Sequence, residues 1–135
     1  MHRRSFLLSS AALVLAPTLA RAVTQYTPGL VEAELAAGKT VFLDFTASWC
    51  STCAAQRRIL EALKAWNPAY EEAIAFIDVD WDTYRTAEIT RRLNIPRRST
   101  LVVLKGSEEL GRIVASTRRA DIEALMNTAL AAATG

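Results

Sequence analysis

Histidine is all but absent from this 135-residue chain; the single one is His2, near the N-terminus. Cysteine is nearly as scarce, with two residues, Cys50 and Cys53. A structural zinc site takes four ligands, usually Cys or His. Two thiols and one remote imidazole therefore exclude a zinc site built within one subunit. A charge excess is missing too, since 16 basic residues face 14 acidic ones. Nothing in that balance calls for nucleic acid or an anionic membrane. The apolar stretch from Phe6 to Leu19 is broken by Pro17 and falls short of the roughly 20 residues of a membrane span. Repeats, low-complexity tracts and linkers are also missing, so the length suits one domain.

What is present begins with an export pattern. Met1-His2-Arg3-Arg4 is a basic start, Phe6 to Leu19 is mostly apolar, and Ala20-Arg21-Ala22 has the small-x-small form of a signal-peptidase site. Residues 1–22 are expected to be a signal peptide cleaved after Ala22, with residues 23–135 as the working domain. Cleavage removes three arginines and no acidic residue. Thirteen basic residues then face fourteen acidic ones, a formal charge of −1. Arg3-Arg4-Ser5-Phe6-Leu7 is also similar to a twin-arginine signal, although His2 stands where that motif usually has Ser or Thr. The twin-arginine and general secretory routes both lead to an oxidising compartment, most simply a periplasm.

Half of the chain is apolar, enough for a real core. Pro28-Gly29 opens a helical stretch, Leu30 to Ala37, that Gly38 closes. Thr40 to Phe45 is apolar at nearly every position, as in a central strand buried on both faces, with Asp44 the exception. From about Cys50, Ala55, Ile59, Ala62, Leu63 and Trp66 recur at helical spacing, so a helix runs to Asn67-Pro68. Ile74 to Asp80 is a second strand, Thr83 to Leu93 a helix, and Thr100 to Leu104 a third strand. Lys105 to Glu108 reads as a hairpin turn, and Leu110 to Ala115 as a fourth strand. Ile122, Leu125, Met126, Ala129, Leu130 and Ala133 form the stripe of a last helix. The order predicts an α/β domain: a mixed sheet of about four strands with helices on both faces.

Trp49-Cys50-Ser51-Thr52-Cys53 lies where a buried strand hands over to a helix. The first helical turn presents unpaired N–H groups and the positive end of the backbone dipole, which favour a thiolate at Cys50. A thiol placed there can titrate well below its usual value of about 8.5. The three-residue offset puts Cys53 one turn along the same face, within reach of a disulfide. Cys50 is thus the expected nucleophile and the more exposed thiol, and Cys53 the residue that resolves a mixed disulfide. Asp44, alone in its apolar strand, is expected to have a raised pKa from desolvation.

Leu43-Asp44-Phe45, Ala47-Ser48-Trp49-Cys50-x-x-Cys53, Ile77-Asp78-Val79-Asp80, Leu93-Asn94-Ile95 and Thr100-Leu101-Val102-Val103-Leu104-Lys105-Gly106 together resemble the thioredoxin family. The resemblance covers nearly all of residues 23–135. Phe45-Thr46-Ala47-Ser48-Trp49-Cys50 is especially similar to the C-terminal periplasmic domain of the transmembrane thiol:disulfide interchange reductase. The resemblance implies a thioredoxin-like fold and an exported thiol–disulfide oxidoreductase, working as a reductase of protein disulfides and fed by a membrane electron donor. No cofactor is implied. Asp44 then relays a proton for Cys53, and Trp49 flanks the sulfurs as an apolar platform. Arg98 lies in the loop against the dithiol, where it can stabilise a thiolate or select an acidic partner. Ser99 and Thr100 stand at the substrate groove.

Two departures from the family pattern stand out. A lysine often pairs with the buried aspartate from the neighbouring strand, but Phe76 occupies that place, so no nearby cation is expected. The family's cis-proline is Ser99 here, and a cis bond before a non-proline residue costs about 2.5–4 kcal/mol, which favours a trans Arg98–Ser99 peptide. Serine is smaller than proline and should leave Cys50 and Cys53 more open. An open pair suggests a second reading: a non-catalytic protein whose cysteines hold copper, zinc or a cluster, shared across a dimer.

Overall fold

A computed structural model describes residues 23–135, so the expected signal peptide and its cleavage after Ala22 lie outside the described residues. The elements, in chain order, are β1 (Thr24–Gln25), α1 (Leu30–Ala36), β2 (Thr40–Thr46), α2 (Ser51–Trp66), α3 (Ala69–Ala73) and β3 (Ile74–Asp80). There follow α4 (Trp81–Tyr84), α5 (Glu88–Arg92), β4 (Thr100–Lys105), β5 (Glu108–Val114) and α6 (Arg119–Thr134). They form one sheet in the order β1-β3-β2-β4-β5. The β1–β3–β2 half is parallel and the β2–β4–β5 half antiparallel. The mixed sheet with helices on both faces is therefore present, with five strands where about four were expected. The additional strand, β1, is two residues long, too short for an alternating pattern to reveal.

β2 is buried along its whole length, as its apolar run requires. Its alternate residues feed two cores. Val41, Leu43 and Phe45 join Val31 of α1 and Ile89 of α5 on one face. Phe42 joins Leu60 and Leu63 of α2, Tyr70 of α3 and Met126 of α6 on the other. Asp44 shares Phe42's parity and so faces the α2 side. Two glycines are needed where they stand. Gly38, at φ 81°, turns the chain out of α1. A Cβ on Gly111 would lie 2.9 Å from Leu125 Cδ1, so this position lets α6 settle on β5.

Three expectations change. The stretch expected as one helix over Thr83–Leu93 is two short helices. Ala87 is extended between them (ψ 160°), while the Thr90 hydroxyl donates to the Tyr84 carbonyl at 2.6 Å and seals the end of the first. Tyr84 in turn packs edge-on against Tyr26, with ring centroids 4.8 Å apart. A further helix, α3, follows Pro68, which serves as its N-cap residue. The buried stripe of α2 is Cys53, Gln56, Leu60 and Leu63, whereas Ala62 and Trp66, expected on it, face solvent. Gln56 is the polar residue that hid this stripe from a search for apolar spacing.

Candidate active site

Cys50 is the N-cap residue of α2, with extended backbone (φ −92°, ψ 112°), and its Sγ accepts the Cys53 N–H at 3.1 Å. The side chain thus takes the place usually filled by a serine or aspartate oxygen at a helix start. Burial pushes the Cys50 thiol up, but hydrogen bonds outweigh it. Those from the Cys53 side chain, the Ser99 hydroxyl and the Cys53 N–H, with a smaller contribution from Arg98, bring it down to about 7. Cys53 lies one helical turn on. Both cysteines are free thiols and both are buried, at 4% and 1% exposure. Cys50 is the more exposed of the two, as expected, but only slightly, because its sulfur is covered by the loop ahead of β4.

Ser99 makes that cover. It is fully buried, and its Oγ lies 3.2 Å from Cys50 Sγ and 3.1 Å from Cys53 Sγ. All peptide bonds among the described residues are trans, including Arg98–Ser99. Ser99 reaches the sulfurs instead through a left-handed backbone conformation, φ 64°. The expectation that serine opens the dithiol is overturned, because the hydroxyl hydrogen-bonds where a proline ring could only pack. Every polar group of Ser99 is engaged. Its N–H donates to Phe45 O at 2.7 Å, and its carbonyl accepts from Ala115 N at 2.9 Å and from Gln56 Nε2 at 3.0 Å. The same Gln56 nitrogen donates to Ser116 O at 3.0 Å.

Trp49 is 58% exposed and borders the dithiol. Its indole Nε1 donates to the Asp82 carboxylate at 2.9 and 3.1 Å, and the Arg98 guanidinium stacks 4.5 Å from its ring centroid. The expected apolar platform thus carries a polar clamp on each side. Thr100 is buried at the start of β4, opposite Phe45, with its hydroxyl donated to Arg97 O at 2.7 Å. Of the expected site residues, Cys50, Cys53, Trp49, Arg98 and Ser99 come together around the sulfurs, and Thr100 lies in the strand beneath.

Asp44 is buried, and opposes Asp78 of β3 in the strand register. Its Oδ1 has no hydrogen-bond partner. Burial chiefly, and the Asp78 charge secondarily, push its carboxyl up to about 7, against the pull of Arg57 and Lys64. Those two cations correct the expectation of an aspartate without a basic neighbour. Both come from α2 rather than from the adjacent strand. Arg57 Nη2 donates to Thr46 Oγ1 at 3.1 Å; Lys64 Nζ lies 3.9 Å from the Phe76 ring centroid and 3.7 Å from Glu71 Oε1. Phe76 thus receives a lysine on its face in place of being one. Burial also holds the Lys64 amine below its ordinary value.

Asp82, Gln56, Lys64 and Asp78 are the site's contributors that sequence reasoning passed over. Gln56 alone carried a usable signal, since it lies three residues beyond Cys53 on the same helical face. No cluster of three or more His, Cys, Asp or Glu suited to a metal occurs among the described residues. Ser99 Oγ lies within hydrogen-bond distance of both sulfurs, so the pair is already engaged within the chain. The shared-metal reading is not favoured.

Comparison with known proteins agrees with this geometry. The thioredoxin family model matches residues 15–128. Thioredoxin H2-1 of Oryza sativa subsp. japonica is 33% identical over 96 residues, which cover 67% of this chain and 60% of that protein. Thioredoxin H2-2 of the same plant is 32% identical over 81 residues, covering 59% of this chain and 55% of its own length. The matched region thus spans less than two thirds of either relative. Among solved structures, Trxlp from Edwardsiella tarda EIB202 superposes with a TM-score of 0.67 at 28% identity, covering 77% of this chain and 98% of that one. With the family match running through every strand of the sheet and across the dithiol, the chain belongs to the thioredoxin family.

Proposed function

We propose that the chain is a thiol–disulfide oxidoreductase that reduces protein disulfides in an exported setting and is recharged by a membrane electron donor. The observation that carries the chemistry is Cys50 Sγ at the start of α2, hydrogen-bonded and titrating near 7 beside a second thiol. Lowered into the neutral range, Cys50 supplies thiolate, the nucleophilic form, at working pH. It attacks a substrate disulfide: a Cys50–substrate bond forms, the substrate S–S bond breaks, and one substrate sulfur leaves as thiolate. Cys53 then gives up its proton and attacks Cys50 Sγ, releasing the second substrate sulfur and closing the Cys50–Cys53 disulfide. Two electrons pass to the substrate. Asp44, titrating near 7 in its buried place, is the acceptor for the Cys53 proton.

Trp49 and Arg98 form the exposed rim that a substrate meets, with Ser99 and Thr100 behind it. The basic, apolar and small-x-small pattern of residues 1–22 supports export. The similarity of Phe45 to Cys50 to the electron-exporting reductase supports the direction. The test is the equilibrium with glutathione together with turnover of a generic protein disulfide such as insulin. A reductase should hold a potential below that of glutathione and reduce insulin with a thiol donor. A potential far above it would overturn the direction, and negligible exchange in either sense would overturn the function. Mass measurement of the secreted protein should give Val23 as its first residue; retention of residues 1–22 would overturn the cleavage.

A further inference from the structure

Ser99 adopts a conformation that a non-glycine residue rarely adopts, and it does so fully buried between two sulfurs. A left-handed backbone is strained for a residue that carries a Cβ and persists only where the surroundings over-determine it. Here five hydrogen bonds do so: Phe45 O on its N–H, Ala115 N and Gln56 Nε2 on its carbonyl, and the two sulfurs on its hydroxyl. Gln56 is buried and spends both its donor hydrogens on Ser99 O and Ser116 O. An apolar side chain would fill the same space on α2 but could hold neither carbonyl.

We propose that the Ser99 hydroxyl is a third working group of the dithiol, donating to the Cys50 thiolate and accepting from the Cys53 thiol, with Gln56 as its positioning residue. This rests on the oxidoreductase reading for its biological meaning but not for its measurement. A hydroxyl has one hydrogen to give and lone pairs to receive, so one group can serve a thiolate and a thiol at once. Hydrogen bonds to an ionised partner are about twice as strong as neutral ones. In the disulfide both sulfurs lose this character: neither carries a charge to attract the O–H, and neither has a proton to donate. The hydroxyl therefore stabilises the dithiol over the disulfide, and the Cys50 thiolate over its thiol. Both effects make the pair a better electron acceptor than its helix-start position alone provides.

Ser99→Ala removes the hydroxyl and keeps the backbone strain, while Ser99→Gly removes both. Each is compared with the native chain in two readouts, the pH dependence of Cys50 alkylation in the reduced protein and the equilibrium with glutathione. We expect Cys50 to titrate about tenfold higher in proton affinity in both variants. The dithiol–disulfide constant should move about tenfold toward the disulfide, which is about 30 mV for this couple. Gln56→Met, which keeps the volume, should move both readouts the same way by a smaller factor. Native-like circular dichroism with both readouts unchanged in Ala and Gly would overturn the role of Ser99. A change in Gly alone would assign the effect to backbone strain and equally overturn it. If native protein fails to turn over insulin while these shifts are present, the proposed function falls and the role of Ser99 stands.

Discussion

Cys50 and Asp44 both titrate near 7, and they arrive there from opposite sides. Cys50 is a thiol that burial would push up, brought down because hydrogen bonds crowd around its sulfur. Asp44 is a carboxyl pushed up because burial strips its solvent and leaves Oδ1 without a partner. Around Cys50 the sulfur and every polar group of Ser99 are engaged, whereas Asp44 retains an unsatisfied acceptor. The contrast shows that burial by itself decides nothing about reactivity. What decides it is whether the charged form finds donors once water is excluded. A base held near neutrality can take up and return a proton without a large penalty in either direction.

The largest break in this comparison is loss of the sulfur itself. Cys50→Ser should abolish insulin reduction, while Cys53→Ser should keep the first attack and accumulate mixed disulfides visible on non-reducing gels. Asp44→Asn comes next. A folded pKa raised above the unfolded value gives a stability contribution that is fully present below the unfolded value, about 4, and lost as pH rises through about 7. Asparagine has no proton to lose, so the variant's advantage should grow between those limits and reach about 4 kcal/mol at most above pH 8. Urea unfolding at pH 4, 6 and 8 measures it, and turnover near pH 7 should fall in the same variant. An advantage independent of pH would show that Asp44 is charged throughout.

Lys64→Met sharpens the carboxyl side. Removing a cation that opposes the Asp44 shift should drive that carboxyl higher and move the rising limb of turnover up by at most about one pH unit. The alkylation profile of Cys50 should stay in place, since its own hydrogen bonds are untouched. The smallest effect is expected on the rim. Trp49→Phe loses the bond to Asp82 but keeps the ring under Arg98, so stability should change by about 1 kcal/mol or less. A raised KM with an unchanged Cys50 titration would place Trp49 in substrate contact; a shifted titration would place it in tuning the thiolate.

Much of this site was legible before any fold was known. The apolar run through β2, the dithiol at the following helix start and the lone acidic residue in a buried strand are local patterns. Strand periodicity, helix spacing and desolvation follow from neighbours in sequence. The lysine's origin was not legible. Phe76 pointed to an aspartate without a cation, and only the packing of α2 over β2 brought Lys64 and Arg57 to it.

By itself, then, the sequence determined which atoms could do chemistry, Cys50 Sγ and Cys53 Sγ, and the strand–helix junction that activates the first. The tertiary structure decided what surrounds them. Ser99 is 49 residues from Cys50 along the chain. Its hydroxyl reaches both sulfurs because β2 and β4 pair in a register that sets Phe45 opposite Thr100. Gln56, Ala115 and Phe45 then hold its backbone in a left-handed turn. A serine in a linear sequence implies none of this. Its smaller side chain suggests an open site, while its hydrogen bonds, available only when three distant segments converge, close it.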